Sequence, residues 1–267
     1  MKNLNRFFLA LAMSASTMAC APAGTSKSEV VMPDDQTTES FDDTVSNSAV
    51  LALASKFIVP SYSSSEKVSI LKQYDHLDPS KLVADNLLEA AVLYYHANKA
   101  QFKNAGVMTV IDYSLSSKQK RFYLIDMASG EVFATYVAHG KGSDSNHDSY
   151  AEKFSNVSGS NATSLGAYLA AETYSGSNGY SMRLDGLSST NSNARARAVV
   201  VHGASYVSNA PVTQGRSWGC PALPMTFRTS VIDQIKGGSL LYAGASKQLP
   251  APSATPPARS ATPCCDR

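Results

Sequence analysis

Long apolar runs and clustered positive charge are both scarce in this sequence. Beyond the N-terminal segment no stretch reaches the roughly 18 apolar residues that a membrane-crossing helix needs, so no transmembrane span is predicted. The sequence contains 23 basic and 21 acidic residues, so its charges are nearly balanced. The densest basic stretch, Lys118 to Arg121, is predicted to be a solvated hairpin and is too short for a nucleic-acid-binding stripe. Membrane-spanning proteins and nucleic-acid binders are therefore disfavoured.

The N-terminus has the three parts of an export signal. Lys2 and Arg6 form a basic region, a short apolar core follows, and small residues precede a predicted cleavage after Ala23. Residues 1–23 are therefore predicted to be a signal peptide, which places the mature protein outside the cytoplasm, in the periplasm. Cys20 follows a poor lipobox, so a lipid tether at that residue, giving a membrane-anchored lipoprotein, stays open as an alternative.

Cysteine is also rare, and only one of the four cysteines lies inside the part that is expected to fold. Cys20 falls in the signal, and Cys264 and Cys265 fall in a tail rich in Pro, Ala and Ser, which leaves Cys220. An oxidising compartment tends to pair spare thiols. A lone internal cysteine is therefore explained by burial or by catalysis, and the residues around it must decide between the two.

Composition divides the rest of the chain into four segments. Residues 24–50 are acidic and rich in Ser and Thr, which predicts a flexible leader. Residues 51–105 repeat apolar positions at helical spacing and are predicted to be a helical segment. Residues 106–246 carry the strand-like patterns and the candidate site, and are predicted to be the catalytic domain. Residues 247–267 are predicted to be a disordered tail.

Two periodicities predict the fold class. In the helical segment, Asp78 is predicted to cap a long amphipathic helix that has Pro79 in its first turn and ends near Phe102. From Val107 onward the apolar period becomes two, in short stretches separated by Gly, Ser and Asn. One further helix is predicted to start at Pro224. Short strands without intervening helices predict a mainly β domain, an antiparallel β-sandwich or flattened barrel preceded by the helical segment.

The stretch VVVHGASYVSNAPVTQGRSWGCPALP, residues 199–224, combines a histidine, several glycines and the internal cysteine. A buried strand is predicted to end at His202 and Gly203, and a polar loop leads to Cys220, 18 positions after the histidine. Cysteine attacks as a thiolate and needs a neighbouring base, for which His202 is the candidate. Gly219 lets the backbone approach a substrate, so the amides of Gly219 and Cys220 are predicted to stabilise an oxyanion.

These residues resemble the signature of the L,D-transpeptidase catalytic domain, whose motif ends in Ser-His-Gly-Cys. NARARAVVVHGA and GRSWGCPALP, with FSN and SLGAY ahead of them, look like the murein L,D-transpeptidase catalytic domain family, over about residues 107–244. The resemblance implies acyl transfer on peptidoglycan stem peptides, without a metal or another cofactor. Cys220 would attack the carbonyl of the diamino acid before a terminal D-alanine, and His202 would take the thiol proton. The family holds the second nitrogen of this histidine by a backbone carbonyl, for which Gly203 is the matching position.

Two positions depart from the common family motif. Trp218 stands where the family has histidine, and Ala222 stands where it has arginine. These changes remove one donor and one cation from the neighbourhood of the thiol. Arg216 is the candidate to replace that charge and to bind a carboxylate of the stem peptide. Ser217, Trp218 and His139 complete the predicted substrate-binding set, with Trp218 favoured as a wall beside the thiol.

The sequence leaves other functions open. The same site with water as the acyl acceptor gives an L,D-carboxypeptidase, and the loss of the motif histidine also fits a catalytically decayed cell-wall-binding protein. A zinc peptidase site made of His139, His147, Asp148 and His202 is disfavoured, because the spacing fits no standard pair of zinc ligands.

Overall fold

A computed structural model describes residues 47–247 of the chain. The predicted signal peptide, the alternative lipid site at Cys20, most of the leader and the tail cysteines lie outside these residues. The elements are α1 (Asn47–Ala54), α2 (Ser64–Leu71), α3 (Asp85–Asn98), β1 (Val107–Asp112), β2 (Phe122–Asp126), β3 (Val132–Thr135), β4 (Gly166–Gly176), β5 (Gly179–Gly186), β6 (Val200–Ala204), β7 (Ala222–Pro224), α4 (Met225–Ile235) and β8 (Ser239–Gly244). Single 3-10 turns, Lys72–Tyr74 and Lys99–Gln101, extend α2 and α3. Within residues 47–247, no helix is both long and apolar enough to cross a bilayer.

The eight strands form one sheet that nearly closes on itself. Their order is β3-β2-β1-β8-β4-β5-β6-β7, and β1 pairs with β8, and β6 with β7, in parallel. The two edges meet where Ala138, just after β3, bridges Ala222 in β7, with a hydrogen bond of 2.9 Å from the Ala138 amide to the Ala222 carbonyl. The predicted mainly β, flattened-barrel domain is confirmed. The sheet is mixed rather than purely antiparallel, because the chain crosses over before β7 and β8.

Strand β1 is buried on both faces, which explains its nearly continuous apolar sequence. Met108 and Val110 pack with α3, whereas Ile111 joins the core inside the barrel. Helix α4 closes that inner core with Val231 and Ile232, both at most 1% exposed. Burying side chains of this size stabilises the fold by about 1.5–3 kcal/mol each. The barrel wall around β1 is therefore held from both sides.

The helix start predicted at Asp78 is wrong. Helix α3 begins at Asp85, and Asp78 has a φ of 51°, a left-handed conformation that cannot lead into a right-handed helix. Its buried carboxylate accepts hydrogen bonds from the amides of Leu82 (2.9 Å) and Val83 (2.8 Å). Asp78 thus closes a tight turn, a role that aspartate shares with helix capping. Helix α1 begins at Asn47, before the predicted end of the leader at residue 50.

Candidate active site

Strands β6 and β7 bring together the two halves of the histidine–cysteine motif. They pair in parallel with His202 opposite Ala222, and Cys220 precedes Ala222 by two residues. Cys220 itself lies outside β7, in the loop that leads into this strand, and its Sγ contacts the carbonyl of Ala198 just before β6. Cys220 therefore lies near the start of β6, and a direct contact between its thiol and His202 stays a prediction.

The imidazole of His202 is held in one orientation by its neighbour. His202 is 1% exposed, and its Nδ1 lies 3.1 Å from the carbonyl oxygen of Gly203. Because a carbonyl only accepts, Nδ1 carries the hydrogen in the neutral ring and Nε2 is the basic nitrogen. Gly203 must lack a side chain, since a Cβ would lie 2.7 Å from Cδ of Arg228 and 2.9 Å from Sδ of Met225 on α4.

The thiol of Cys220 is half-buried and faces the turn that leads into β6. Its Sγ donates to the carbonyl oxygen of Ala198 at 3.6 Å. Ala198 has a φ of 54°, and the amides of Ala198 and Val199 donate to the carbonyls of Arg195 and Ala194, both at 2.9 Å. This is the Schellman pattern that ends a helical turn. Glycine usually occupies the left-handed position of this motif. Because alanine stands there in this chain, the sequence did not predict the motif.

Ser217 fastens the backbone on which Cys220 sits. Its Oγ accepts from the Gly219 amide at 3.2 Å and donates to the Cys220 carbonyl at 2.7 Å. In this structure the Gly219 amide is engaged by Ser217, and its oxyanion role stays a prediction. Gly219 also matters by conformation. Its φ is 121°, and a Cβ would lie 2.8 Å from the carbonyl oxygen of Ala162.

Trp218 forms part of the rim next to the thiol. The ammonium of Lys141 lies 5.2 Å from the centroid of the indole ring, and the Lys141 amide donates to the Ser217 carbonyl at 2.8 Å. A cation over an exposed indole contributes about 0.5–1 kcal/mol. Lys141 is an exposed cation that sequence reasoning missed, although the AHGKG stretch contains it. Trp218 is half-buried, and its role as a wall beside the thiol stays a prediction.

His139 is buried in a polar chain. Nη2 of Arg121 donates to His139 Nδ1 at 2.9 Å, and His139 Nε2 therefore donates to Asp144 at 3.0 Å. Both ring nitrogens are engaged, and the contact of His139 with the stem peptide stays a prediction. Arg121 is 0% exposed and also donates to the carbonyls of Val137 (2.9 Å) and Leu115 (2.7 Å). The solvated hairpin predicted for Arg121 is wrong.

Arg216 and His147 tie neighbouring loops together. Nη1 of Arg216 donates to the backbone carbonyl of Asp144, and Nε2 of His147 lies 3.0 Å from the carbonyl of Gln214, to which it donates. Within residues 47–247, no three His, Cys, Asp or Glu side chains are grouped as a metal site would need. Binding of a substrate carboxylate by the half-buried Arg216 stays a prediction.

Comparison of the sequence with models of known protein families identifies the family of this chain. Residues 80–243 match the family described as the L,D-transpeptidase catalytic domain, which is more than half of the chain. The chain belongs to the L,D-transpeptidase catalytic domain family. The match includes α3 as well as the barrel, so this helix is part of the matched L,D-transpeptidase catalytic domain.

Solved structures that match this L,D-transpeptidase-family chain include three L,D-transpeptidases. The protein from Mycobacterium smegmatis is 18% identical, with 52% of this chain and 59% of that chain covered and a TM-score of 0.34. L,D-transpeptidase 1 from Mycobacterium tuberculosis is 16% identical, with 52% and 62% covered and a TM-score of 0.31. The protein from Stackebrandtia nassauensis is 14% identical, with 74% and 89% covered and a TM-score of 0.33. The matched region spans about three fifths of the length of the two mycobacterial proteins. Comparison with curated proteins gave no match.

The buried histidine of this L,D-transpeptidase domain predicts acid sensitivity. Burial lowers the pKa of His139 to about 4, with a smaller lowering by Arg121, against the opposing effect of Asp144. The unfolded chain binds this proton near pH 6.5, whereas the folded protein does so only near pH 4. The free energy of unfolding is therefore expected to fall by about 3 kcal/mol as the pH drops from 6.5 to 4. Urea unfolding at several pH values measures this loss, and His139→Gln should flatten it. Equal pH slopes in both proteins would contradict the assignment.

Proposed function

We propose that the chain is an exported cysteine acyltransferase of the L,D-transpeptidase type that acts on peptidoglycan stem peptides. The observation that carries this proposal is the β6–β7 pairing, in which Cys220 stands two residues before the partner of His202, together with the Gly203 carbonyl that orients the imidazole. Family membership supports the class of reaction, and the predicted signal peptide supports a site of action outside the cytoplasm. A lipid tether at Cys20 stays an alternative to a free periplasmic protein.

The first half-reaction forms a thioester. Nε2 of His202 takes the proton from the Cys220 thiol, and the thiolate attacks the carbonyl carbon of the diamino acid that precedes the terminal D-alanine. A C–S bond forms and the carbonyl oxygen becomes an oxyanion. When the carbonyl re-forms, the amide C–N bond breaks, and the imidazolium returns its proton to the nitrogen of D-alanine. D-Alanine leaves, and the shortened stem peptide is bound to Sγ.

The second half-reaction transfers the acyl group. An amine attacks the thioester carbonyl, His202 takes a proton from the attacking nitrogen, and the C–S bond breaks to release a new amide and the Cys220 thiolate. The proton on the imidazolium restores the thiol. With water in place of the amine, the product is a free carboxylate, and the same site acts as an L,D-carboxypeptidase.

The remaining residues hold or border this site. Ser217 and Gly219 fix the backbone of the nucleophile, as their hydrogen bonds and positive φ support. Trp218 and Lys141 form one rim, and Arg216 is the proposed contact for a carboxylate of the stem peptide. Carboxylates at the end of the stem peptide and cations at the rim are complementary in charge.

The test is incubation of the purified protein with a disaccharide-tetrapeptide. We expect release of D-alanine, together with a protein mass that rises by the mass of the substrate minus that of D-alanine. An added D-amino acid should then appear in the product if an amine is the acceptor, whereas a tripeptide alone identifies a carboxypeptidase. Neither D-alanine nor adduct, with binding of wall fragments preserved, would overturn the proposal in favour of a wall-binding protein.

A further inference from the structure

The position at which the family motif carries arginine has no room for one in this protein. Ala222 is 0% exposed and lies in a small apolar cluster with Tyr136, Ala138 and Val207. Its backbone pairs with His202 on one side and with Ala138 on the other. A guanidinium in this cluster would be buried without water or an acidic partner, which is costly. A cation near the thiol must therefore come from another part of the chain.

Arg197 reaches the backbone next to the nucleophile. Its Nη2 lies 3.2 Å from the place that a Cβ of Gly219 would take, and Gly219 directly precedes Cys220. The next residue in the chain, Ala198, accepts the hydrogen bond from the Cys220 thiol. The turn before β6 thus contributes a guanidinium and a carbonyl to the same side of the site.

Hydrogen bonds to the loop before β4 fix the guanidinium. Nη2 donates to the carbonyl of Ala162 at 2.6 Å and to Oγ of Ser160 at 3.4 Å. Nη1 donates to the carbonyl of Ser155 at 2.8 Å and to Oγ of Ser164 at 3.3 Å. All four acceptors are neutral oxygens, so these bonds orient the positive charge of Arg197 without cancelling it. An oriented, half-buried cation favours a nearby anion.

Two tyrosines near the thiol, Tyr113 and Tyr168, are neutral near pH 7. Burial raises the pKa of Tyr168 to about 12 and raises the pKa of Tyr113 further. Burial also lowers the pKa of Arg197, while the charges of Tyr168 and Cys220 oppose this. Because Tyr113 and Tyr168 are uncharged, neither of them opposes the effect of the Arg197 charge on Cys220.

We propose that Arg197 is the positioning residue that stabilises the Cys220 thiolate, in place of the arginine that the family motif places after the cysteine. This inference rests on the proposed function for its catalytic meaning. The proton lost by the thiol goes to His202, and Arg197 keeps its own protons throughout. Its Nη2 lies close to the Gly219 backbone, and its charge stabilises the charge that develops on Sγ.

The experiment is the pH dependence of Cys220 alkylation by iodoacetamide, which needs no peptidoglycan. Arg197→Gln removes the charge, and we expect the apparent pKa of the thiol to rise by about one unit, so that alkylation at pH 6 becomes about 10-fold slower. Arg197→Lys keeps the charge and should restore most of the rate. Arg195→Gln is the matched control from the same turn, because the Arg195 guanidinium binds Glu172 and Asp185 instead, and it should leave the profile unchanged.

The outcomes separate this inference from a purely structural role and from the proposed function. An unchanged profile in Arg197→Gln, or equal damage in Arg197→Gln and Arg197→Lys, would overturn it. If Arg197→Gln fails to fold, as judged by circular dichroism, then Arg197→Lys decides alone, and a rise of one unit in its thiol pKa would refute the electrostatic role. A shifted profile without D-alanine release by wild type would retain the role of Arg197 and reject the acyltransferase.

Discussion

Cys220→Ala is expected to lower the rate of D-alanine release by about 10⁴-fold or more, and His202→Ala to lower it to a similar extent. Without Sγ no thioester forms, and without the imidazole the thiol has no base and the leaving nitrogen no acid. Nucleophile and base act as one unit. The double variant should therefore be no slower than the worse single variant, because the effects of such residues are far from additive.

The measurement is D-alanine release from a disaccharide-tetrapeptide, with intact mass as the second readout. A protein in which both tail cysteines, Cys264 and Cys265, are alanine serves as the thiol control and should keep full activity. A Cys220→Ala protein with more than about 1% of wild-type activity would exclude the thioester route. If the Cys220→Ala protein kept its activity and a chelator abolished that activity, the zinc peptidase alternative would be favoured instead.

The histidine–cysteine pair stays a prediction, and the sequence features on which it rests are local. A β-branched strand that ends in His-Gly, and a return loop that ends in Gly-Cys, fix where the two side chains leave the sheet. The strand pattern from Val107 onward likewise predicted the mainly β class. The parallel pairing of β6 with β7 was not predictable. It depends on the conformation of the loop of residues 205–221, which connects the two strands.

Prediction from the sequence was incomplete where tertiary contacts decide the role of a polar residue. His139 and Arg121 are 18 positions apart and exchange a hydrogen bond only because β2 and the segment after β3 are neighbours in the sheet. The Gly219 amide binds Ser217, a contact that depends on one side-chain rotamer. The turn that presents Arg197 and the Ala198 carbonyl depends on the left-handed φ of Ala198, for which alanine is an unusual residue. Periodicity and spacing carry none of this information.

Arg121→Met is expected to lower the free energy of unfolding by about 3 kcal/mol or more, in the range measured when one partner of a buried charged group is removed. Methionine preserves much of the volume but leaves the carbonyls of Leu115 and Val137, and Nδ1 of His139, without their donor. Urea unfolding at pH 7 measures the loss. The matched control is Lys118→Met, since Lys118 is an exposed cation of the same hairpin and should change stability by less than about 0.5 kcal/mol.

Arg121→Met also tests whether the buried hydrogen-bonded residues Arg121, His139 and Asp144 support the candidate site. The Ser217 amide donates to the His139 carbonyl at 2.9 Å, so the strand that Arg121 anchors also supports the loop of the nucleophile. In conditions where Arg121→Met is still folded, D-alanine release should fall, whereas Lys118→Met should keep wild-type activity. A loss of less than about 1 kcal/mol in Arg121→Met would mean that water replaces the guanidinium, and that the anchoring of this strand depends on backbone pairing alone.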